Sequence, residues 1–131
     1  QAGTILVVDD EKPVRLLLER TLARANFQVL LAADGRRAVD LYREHADRID
    51  CVVLDLTMPE MDGLQTYQEL RQIRAGVTVV LASGYDEQEV QDRFAGHDVA
   101  GFIQKPFDRE ALLAVIQGAV QSRRVTPPGS S

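Results

Sequence analysis

The sequence predicts an α/β fold in which one parallel five-stranded sheet is covered by helices on both faces. Five short aliphatic runs alternate along the chain with longer stretches of helical spacing. The runs are apolar throughout instead of alternating with polar residues, which is typical of strands buried on both faces of a parallel sheet. With 131 residues, of which 45% are hydrophobic, the chain has the size and composition of one globular domain.

The five aliphatic runs predict strands because they are short and rich in β-branched residues. The second run is the least distinct, since its Leu and Ala residues also suit a helix. The predicted strands are residues 4–8, 28–32, 51–54, 78–82 and 101–103.

The first three helices follow from apolar residues three and four positions apart. Pro13 suits the first turn of the first helix, and Asp10 just before it is a candidate N-cap. Asp62, with Gln65 three residues on, predicts the N-terminus of the third helix. The apolar positions are Val14, Leu17, Leu18, Thr21, Leu22 and Ala25 in the first helix, Ala38, Leu41 and Tyr42 in the second, and Leu64, Tyr67 and Leu70 in the third.

The last two helices each begin behind an aspartate that suits an N-cap. Asp86, with Glu89 three residues on, opens a fourth helix with a weak apolar stripe, and Asp108 opens a fifth. The apolar positions are Val90 and Phe94 in the fourth helix, and Leu112, Val115, Ile116, Ala119 and Val120 in the fifth.

These elements predict a domain over residues 4–122. Residues 1–3 form an N-terminal extension, and the polar, Pro-rich residues 123–131 form a disordered tail or linker. The chain begins with Gln1 rather than Met and lacks a signal-peptide pattern, so we expect a fragment of a longer protein.

Composition argues against several classes of protein. Twenty acidic residues against fifteen basic ones give a net charge of -5, which opposes direct nucleic-acid binding. No apolar run approaches the roughly 20 residues of a membrane-spanning helix, so we expect a cytoplasmic domain, whether or not a parent protein is membrane-anchored. Cys51 is the single cysteine, which excludes an internal disulfide.

Polar residues follow four of the predicted strands. Asp9 and Asp10 follow the first strand, Asp55 the third, Ser83 the fourth and Lys105 the fifth. Because the carboxyl ends of parallel strands share one edge of the sheet, these side chains are expected to converge there. Each aspartate alone could cap a helix. Three clustered carboxylates, however, repel one another, and they either raise their pKa values or recruit a cation.

A hard divalent ion, Mg²⁺, suits such a set of carboxylates together with water and phosphate oxygens. Asp55 would then be a nucleophile that forms an acyl phosphate. Lys105 would offset the charge of the transferring group, and Ser83 would donate a hydrogen bond to it. The residues themselves therefore predict a phosphoryl-transfer site.

Four motifs resemble the receiver domain of two-component response regulators. They are Val7-Val8-Asp9-Asp10-Glu11, the segment 54–63, Ala82-Ser83-Gly84-Tyr85 and Phe102-Ile103-Gln104-Lys105-Pro106-Phe107. All four occur in order and at the predicted strand ends, and the resemblance covers roughly residues 4–121. It implies a flavodoxin-like (βα)5 three-layer sandwich, with a five-stranded parallel sheet of order 2-1-3-4-5.

The resemblance implies a role for each acidic residue of the site. Asp55 matches the phosphoacceptor. Asp10, Asp55 and the backbone carbonyl of Thr57 match the ligands of Mg²⁺, for which Mn²⁺ is an expected substitute. Asp9 matches the residue that binds the ion through water.

The resemblance also implies the switch. Ser83 and Lys105 match the residues that bind the phosphoryl group, and Ser83 and Phe102 match the two residues that move on phosphorylation. Pro106 is expected in a cis peptide bond with Lys105. Thr57 and Tyr85 flank the phosphoryl site and are expected to tune dephosphorylation.

The implied function is signalling. A histidine kinase or a histidine phosphotransfer domain donates a phosphoryl group to Asp55, and the surface of the fourth helix, fifth strand and fifth helix then changes its binding preference. That same surface is a possible homodimer contact. No enzymatic activity is expected beyond the domain's own phosphorylation and dephosphorylation.

The sequence leaves open which kind of protein contains this domain, and two other functions are weighed against signalling. Ser83-Gly84-Tyr85 favours the receiver of a hybrid sensor histidine kinase; the alternative is a stand-alone response regulator, or the receiver of a regulator whose output domain is absent. A flavodoxin-type cofactor binder is disfavoured because Asp9-Asp10-Glu11 would repel a phosphate. An aspartyl phosphatase is disfavoured because Thr57 stands where such enzymes place a second aspartate.

Overall fold

The computed structural model describes residues 2–56 and 63–125, and in this part of the chain five strands alternate with five helices. The strands are β1 (Gly3–Val8), β2 (Phe27–Ala32), β3 (Cys51–Asp55), β4 (Val79–Ser83) and β5 (Gly101–Gln104). The helices are α1 (Lys12–Arg24), α2 (Gly35–His45), α3 (Gly63–Ile73), α4 (Glu87–Arg93) and α5 (Arg109–Val125).

The strands form one parallel sheet with the order β2-β1-β3-β4-β5. This confirms the predicted flavodoxin-like architecture and strand order. The chain moves from β1 to one edge strand, returns to the centre at β3 and then continues toward the other edge. The order therefore reverses between β1 and β3, and ligands of such sheets bind beyond the carboxyl ends of the strands at this point.

Two apolar layers cover the sheet, one on each face. Leu6 and Val8 of β1 point into the layer that includes buried residues of α2, α3 and α4. Ile5 and Val7 point into the opposite layer, which includes buried residues of α1 and α5. This alternation, with period two along an entirely apolar strand, is why the strands read as uninterrupted hydrophobic runs in the sequence.

The strands extend into the polar residues that follow them. β3 ends at Asp55, which pairs with Ala82, and β4 ends at Ser83, which pairs with Gln104. The predicted strands stop one residue earlier in each case because they were bounded by side-chain polarity, whereas the ladder is formed by the backbone. Asp55 and Ser83 are thus held by the rigid sheet and not by loops.

Aspartate caps begin three of the helices. Asp86 accepts hydrogen bonds from the backbone N–H groups of Gln88 and Glu89, and Asp108 accepts one from Ala111, as predicted. Asp34 caps α2 by the same kind of bond, and this cap was not predicted. The predicted cap Asp62 lies outside the described residues.

The predicted N-cap of α1 is wrong. The N-cap is Glu11 and not Asp10, and the side chain of Glu11 makes no capping hydrogen bond. The N–H of Glu11 instead donates to the Oδ1 atom of Asp9. Asp10 is exposed and stands one residue before the cap.

The described helices and strands reach slightly beyond residues 4–122. β1 begins at Gly3, and the N–H of Ala2 donates to the carbonyl of Asn26. α5 continues to Val125, and residues 126–131 of the expected tail lie outside the described residues. Within the described residues, none of the helices has the length and apolar content that crossing a membrane requires.

Candidate functional site

Three carboxylates meet at the carboxyl edge of the sheet, next to the point where strand order reverses. Asp9 and Asp10 follow β1, and Asp55 is the last residue of the neighbouring strand β3. One carboxylate oxygen from each of the three residues lies within 4.8 Å of the other two. The sheet topology therefore brings together the acidic residues that the sequence places 46 positions apart.

Asp9 is fixed by contacts on its main chain and side chain. Its N–H donates to the carbonyl of Ala32 at 3.1 Å. Its Oδ1 accepts from the N–H of Glu11 at 2.9 Å, and its Oδ2 accepts from the Nζ of Lys105 at 3.0 Å. With only 1% of its surface exposed, this residue has very little freedom to move.

Lys105 links the two buried carboxylates. Its Nζ lies 3.0 Å from the Oδ2 of Asp9 and 3.3 Å from the Oδ1 of Asp55. Its backbone N–H donates to the carbonyl of Ser83 at 2.7 Å, and its peptide bond to Pro106 is cis, the isomer that the resemblance implies. The segment that follows β5 therefore places the ammonium group beside the carboxylates at the ends of β1 and β3.

Burial and charge shift two pKa values in this cluster. Burial raises the pKa of Asp9; the Glu11 N–H and the Lys105 ammonium oppose this shift, and the charge of Asp55 adds to it. Burial alone would lower the pKa of Lys105, but its hydrogen bond to Asp9 and the two negative charges outweigh burial and raise it. Lys105 is therefore positively charged throughout the physiological pH range.

The chemistry of the donor set fits a magnesium ion. All three side chains offer carboxylate oxygens, which are the ligands that Mg²⁺ prefers. One ammonium group cannot neutralise three carboxylates, so the cluster keeps an excess negative charge. Asp10 is exposed while Asp9 and Asp55 are buried, so the cluster opens to solvent on the side of Asp10. Thr57, the fourth predicted ligand, lies outside the described residues.

Ser83 brings a hydroxyl to the same edge of the sheet. It is the last residue of β4 and is fully buried. Its Oγ accepts a hydrogen bond from the backbone N–H of Tyr85 at 2.9 Å, so the two residues form one tight turn. The side chain of Tyr85 is half-exposed.

Phe102 lies apart from the acidic cluster. It pairs with Leu81 in the sheet and is partly buried against the layer that contains α4. There it lines a cavity of about 390 Å³ between α4 and β5, together with Val90, Phe94 and Val99. The described structure thus places the two predicted switch residues, Ser83 and Phe102, on neighbouring strands.

One contact of the site was not predicted from the sequence. The Nη1 atom of Arg15 donates to the main-chain carbonyl of Asp9 at 2.9 Å. The only signal in the sequence is an arginine in the first turn of the helix that follows the acidic pair. That pattern alone does not distinguish a contact with the loop from a solvated side chain.

Comparison with known proteins identifies the family. Residues 5–117 match the model of the response regulator receiver domain. The chain belongs to the response regulator receiver domain family. Receiver domains generally bind Mg²⁺ at an acidic pocket and interact with histidine kinases or phosphotransfer proteins. The described residues of this chain include one acidic cluster of this kind, formed by Asp9, Asp10 and Asp55.

Individual relatives agree with this assignment. The receiver domain is 41% identical over 125 residues to the response regulator MprA of Mycolicibacterium vanbaalenii, covering 94% of this chain and 52% of MprA. It is 34% identical over 116 residues to the chemotaxis protein CheY of Bacillus subtilis, covering 88% of this chain and 95% of CheY. The chain spans about half the length of MprA and nearly all of CheY.

A solved structure of similar sequence has the same fold. The receiver domain of the hybrid histidine kinase CckA superposes with a TM-score of 0.77 at 32% identity, covering 91% of this chain and all of the CckA domain. A response regulator, a chemotaxis protein and the receiver domain of a hybrid histidine kinase are therefore all similar to this receiver domain. The likenesses identify the domain and leave its parent protein open.

Proposed function

We propose that this receiver domain is a phosphorylation-dependent switch in which Asp55 accepts a phosphoryl group. The observation that carries the proposal is the position of Asp55 at the end of β3, 3.3 Å from the Nζ of Lys105 and inside the three-carboxylate cluster. The donor would be the phosphohistidine of a histidine kinase or of a histidine phosphotransfer domain, in keeping with the family.

The transfer conserves atoms and charge. An Oδ atom of Asp55 attacks the phosphorus, the new O–P bond forms an acyl phosphate, and the histidine nitrogen keeps the electron pair of the broken N–P bond. The Nζ of Lys105 lies 3.3 Å from the Oδ1 of Asp55, so its charge would stabilise the oxygens of a group transferred to that residue.

Asp10, Asp55 and the backbone carbonyl of Thr57 would hold the magnesium ion, with Asp9 acting through water. When bound, Mg²⁺ offsets the negative charge of both the carboxylates and the phosphoryl oxygens; Mn²⁺, which accepts the same ligands, would substitute for it. The all-oxygen donor set and the excess negative charge of the described cluster support this assignment.

Ser83 and Phe102 would carry the signal away from the site. Ser83 would turn toward the phosphoryl group as a hydrogen-bond donor and leave space behind it. Phe102, on the neighbouring strand β5, would turn inward to fill that space. α4 has only seven residues, one of which is buried, and such an element is stabilised by few contacts and is easily shifted. The face formed by α4, β5 and α5 would then change its preference for partners, a second copy of the chain included.

Thr57 and Tyr85 would tune the lifetime of the phosphorylated state. Tyr85 is anchored to Ser83 through its backbone while its ring stays half-exposed beside the site. A side chain in this position controls the access of the water that hydrolyses the acyl phosphate.

Three kinds of parent protein fit this switch. The similarity to the receiver of CckA and the Ser83-Gly84-Tyr85 sequence support a hybrid sensor histidine kinase. The higher identity to MprA, of which the chain covers 52%, supports a longer response regulator, and the similarity to CheY, of which it covers 95%, supports a stand-alone regulator. The chemistry at Asp55 is the same in each case, and so is the cytoplasmic side on which it would operate.

Phosphorylation of the purified chain tests the proposal. With Mg²⁺ and a small phosphodonor, the wild-type chain should gain the mass of one phosphoryl group, and Asp55→Asn should gain none. Asp47→Asn, a change at an exposed aspartate of the same chain, is the matched control and should behave as wild type. A mass gain that persists in Asp55→Asn would refute the assignment. If the wild-type chain is phosphorylated at Asp55, profiling against purified histidine kinases would identify its physiological donor.

A further inference from the structure

We propose that Arg15 is a positioning residue that aligns the acidic loop for cation binding. The inference rests on the proposed function, because it assigns a role toward the Mg²⁺ site described above. Its basis is the hydrogen bond from the Nη1 of Arg15 to the carbonyl oxygen of Asp9 at 2.9 Å. Arg15 reaches this oxygen from the first turn of α1, where its own N–H donates to the carbonyl of Glu11.

The contact completes the restraint of Asp9. The N–H and both carboxylate oxygens of Asp9 are bound to Ala32, Glu11 and Lys105. Arg15 binds the main-chain carbonyl, so all four polar atoms of Asp9 have a partner. Three of these partners act on Asp9 itself, and the bond from Arg15 acts on the peptide group that joins Asp9 to Asp10.

That peptide group determines where Asp10 points. Asp9 and Asp55 are buried and are positioned by packing, but Asp10 is exposed and is not. A peptide group is planar, so fixing its carbonyl oxygen also fixes the direction of the N–H and of the following Cα atom. Arg15 therefore orients the backbone that presents the Asp10 carboxylate to the ion.

Because Arg15 is positively charged, the change in Mg²⁺ affinity on its removal distinguishes a positioning role from a purely electrostatic one. A guanidinium near a cation site opposes cation binding. If Arg15 acted through charge alone, its removal would tighten Mg²⁺ binding. If Arg15 acts by orienting the loop, its removal weakens Mg²⁺ binding in spite of the lost repulsion.

Three variants of the same helix make the test. Arg15→Met removes the hydrogen bond and the charge while keeping an unbranched side chain of helical propensity. Arg15→Lys keeps the charge and a donor. Arg20→Met is the matched control, because Arg20 is an exposed arginine of α1. The probe is Mg²⁺ alone, and its Kd is obtained from the rise of the thermal unfolding midpoint with Mg²⁺ concentration.

We expect Arg15→Met to raise the Kd for Mg²⁺ by about tenfold, the effect typical of a residue that orients a metal ligand. Arg15→Lys should recover most of the affinity, and Arg20→Met should bind as wild type. The Mg²⁺ concentration that half-saturates phosphorylation by a small phosphodonor should shift in the same order.

Two results would overturn the role of Arg15. One is an Arg15→Met variant that binds Mg²⁺ as tightly as wild type or more tightly. The other is a variant that is less stable without Mg²⁺ but has an unchanged Kd, which would show a structural role only. In both cases the wild-type response to Mg²⁺ would leave the proposed function standing, whereas a wild-type chain that does not respond to Mg²⁺ would overturn both.

Discussion

Asp9 has opposite effects on folding and on ion binding. Its carboxylate is 1% exposed and lies near Asp55, so burial and repulsion raise its pKa. A raised pKa for an acid means that the folded protein disfavours the charged form. The charge that helps to hold a cation therefore costs stability when no cation is present.

Asp9→Asn should accordingly stabilise the ion-free protein. The amide oxygen can still accept the N–H of Glu11, while the buried negative charge is removed. We expect the free energy of unfolding in urea without Mg²⁺ to rise on the order of 1 kcal/mol. Mg²⁺ should then stabilise the variant less than the wild type.

The exposed Asp47→Asn is the control for a general effect of net charge, and it should change neither quantity. A lower stability of Asp9→Asn without Mg²⁺ would show that the ion pair with Lys105 outweighs the cost of burial at this site.

At the scale of elements, the packing of α5 on the sheet depends on a glycine. A Cβ atom on Gly101 of β5 would lie 2.8 Å from the Cγ1 of Val115, and valine has little rotamer freedom in a helix with which to give way. Gly101→Ala should therefore lower the free energy of unfolding by about 1–3 kcal/mol. Chemical denaturation measures the change.

Gly118, which lies in α5 itself, leads to the opposite prediction. It is exposed, and a Cβ atom there would meet nothing within 4 Å. Gly118→Ala should stabilise the protein by roughly 0.5–1 kcal/mol, because alanine loses less entropy than glycine in a helix. If Gly101→Ala and Gly118→Ala destabilised the protein equally, the contact of the new Cβ atom with Val115 would not explain the effect of Gly101→Ala.

An aromatic cluster ties α3 to the segment between α4 and β5. The buried Tyr67 donates its hydroxyl hydrogen to the carbonyl of Asp98 at 2.5 Å, and its ring meets those of Phe94 and His97 edge to face at 5.7 Å and 5.6 Å. Tyr67→Phe removes only the hydroxyl. We expect a loss of about 1 kcal/mol of stability and faster amide hydrogen exchange in α4.

Tyr85→Phe is the control for this substitution, because the Tyr85 side chain is half-exposed. It should leave the stability and the exchange of α4 unchanged. If Tyr67→Phe left α4 exchange at the wild-type rate, the anchor for α4 would lie in ring packing and not in the hydrogen bond.

The elements show what sequence patterns carry and what they omit. The five strands were predicted because burial on both faces leaves a run of apolar residues, as in β1. Their ends were less certain because Asp55 and Ser83 continue the backbone ladder with polar side chains. The N-cap of α1 was misassigned because Glu11, whose side chain gives no capping signal, occupies that position instead of Asp10.

At the scale of the molecule, the acidic site follows from topology. Asp9 and Lys105 are 96 positions apart and yet share a hydrogen bond, because parallel strands bring their carboxyl ends to one edge. This convergence was predictable once the strands were identified. The bond from Arg15 to a main-chain carbonyl was not, since it depends on the exact course of the loop that follows β1.

The same topology makes ion binding a property of the entire fold. The carboxylates belong to β1, its following loop and β3, and Lys105 joins them to β5, so opening the site separates strands at the centre of the sheet. Mg²⁺ at about 100 times its Kd should therefore add roughly 2.7 kcal/mol to global unfolding. The slowest-exchanging amides of β1 and β3 should slow by the corresponding factor of about 100.

The amides of α4 make the comparison within the same experiment. α4 contributes none of the three carboxylates, and only Val90 of this helix is buried, so its exchange is expected to proceed through local opening. Mg²⁺ should therefore slow amide hydrogen exchange in β1 and β3 far more than in α4. Protection confined to the loop after β1, with β1 and β3 unchanged, would show that the site opens locally and that the ion does not stabilise the sheet as a whole.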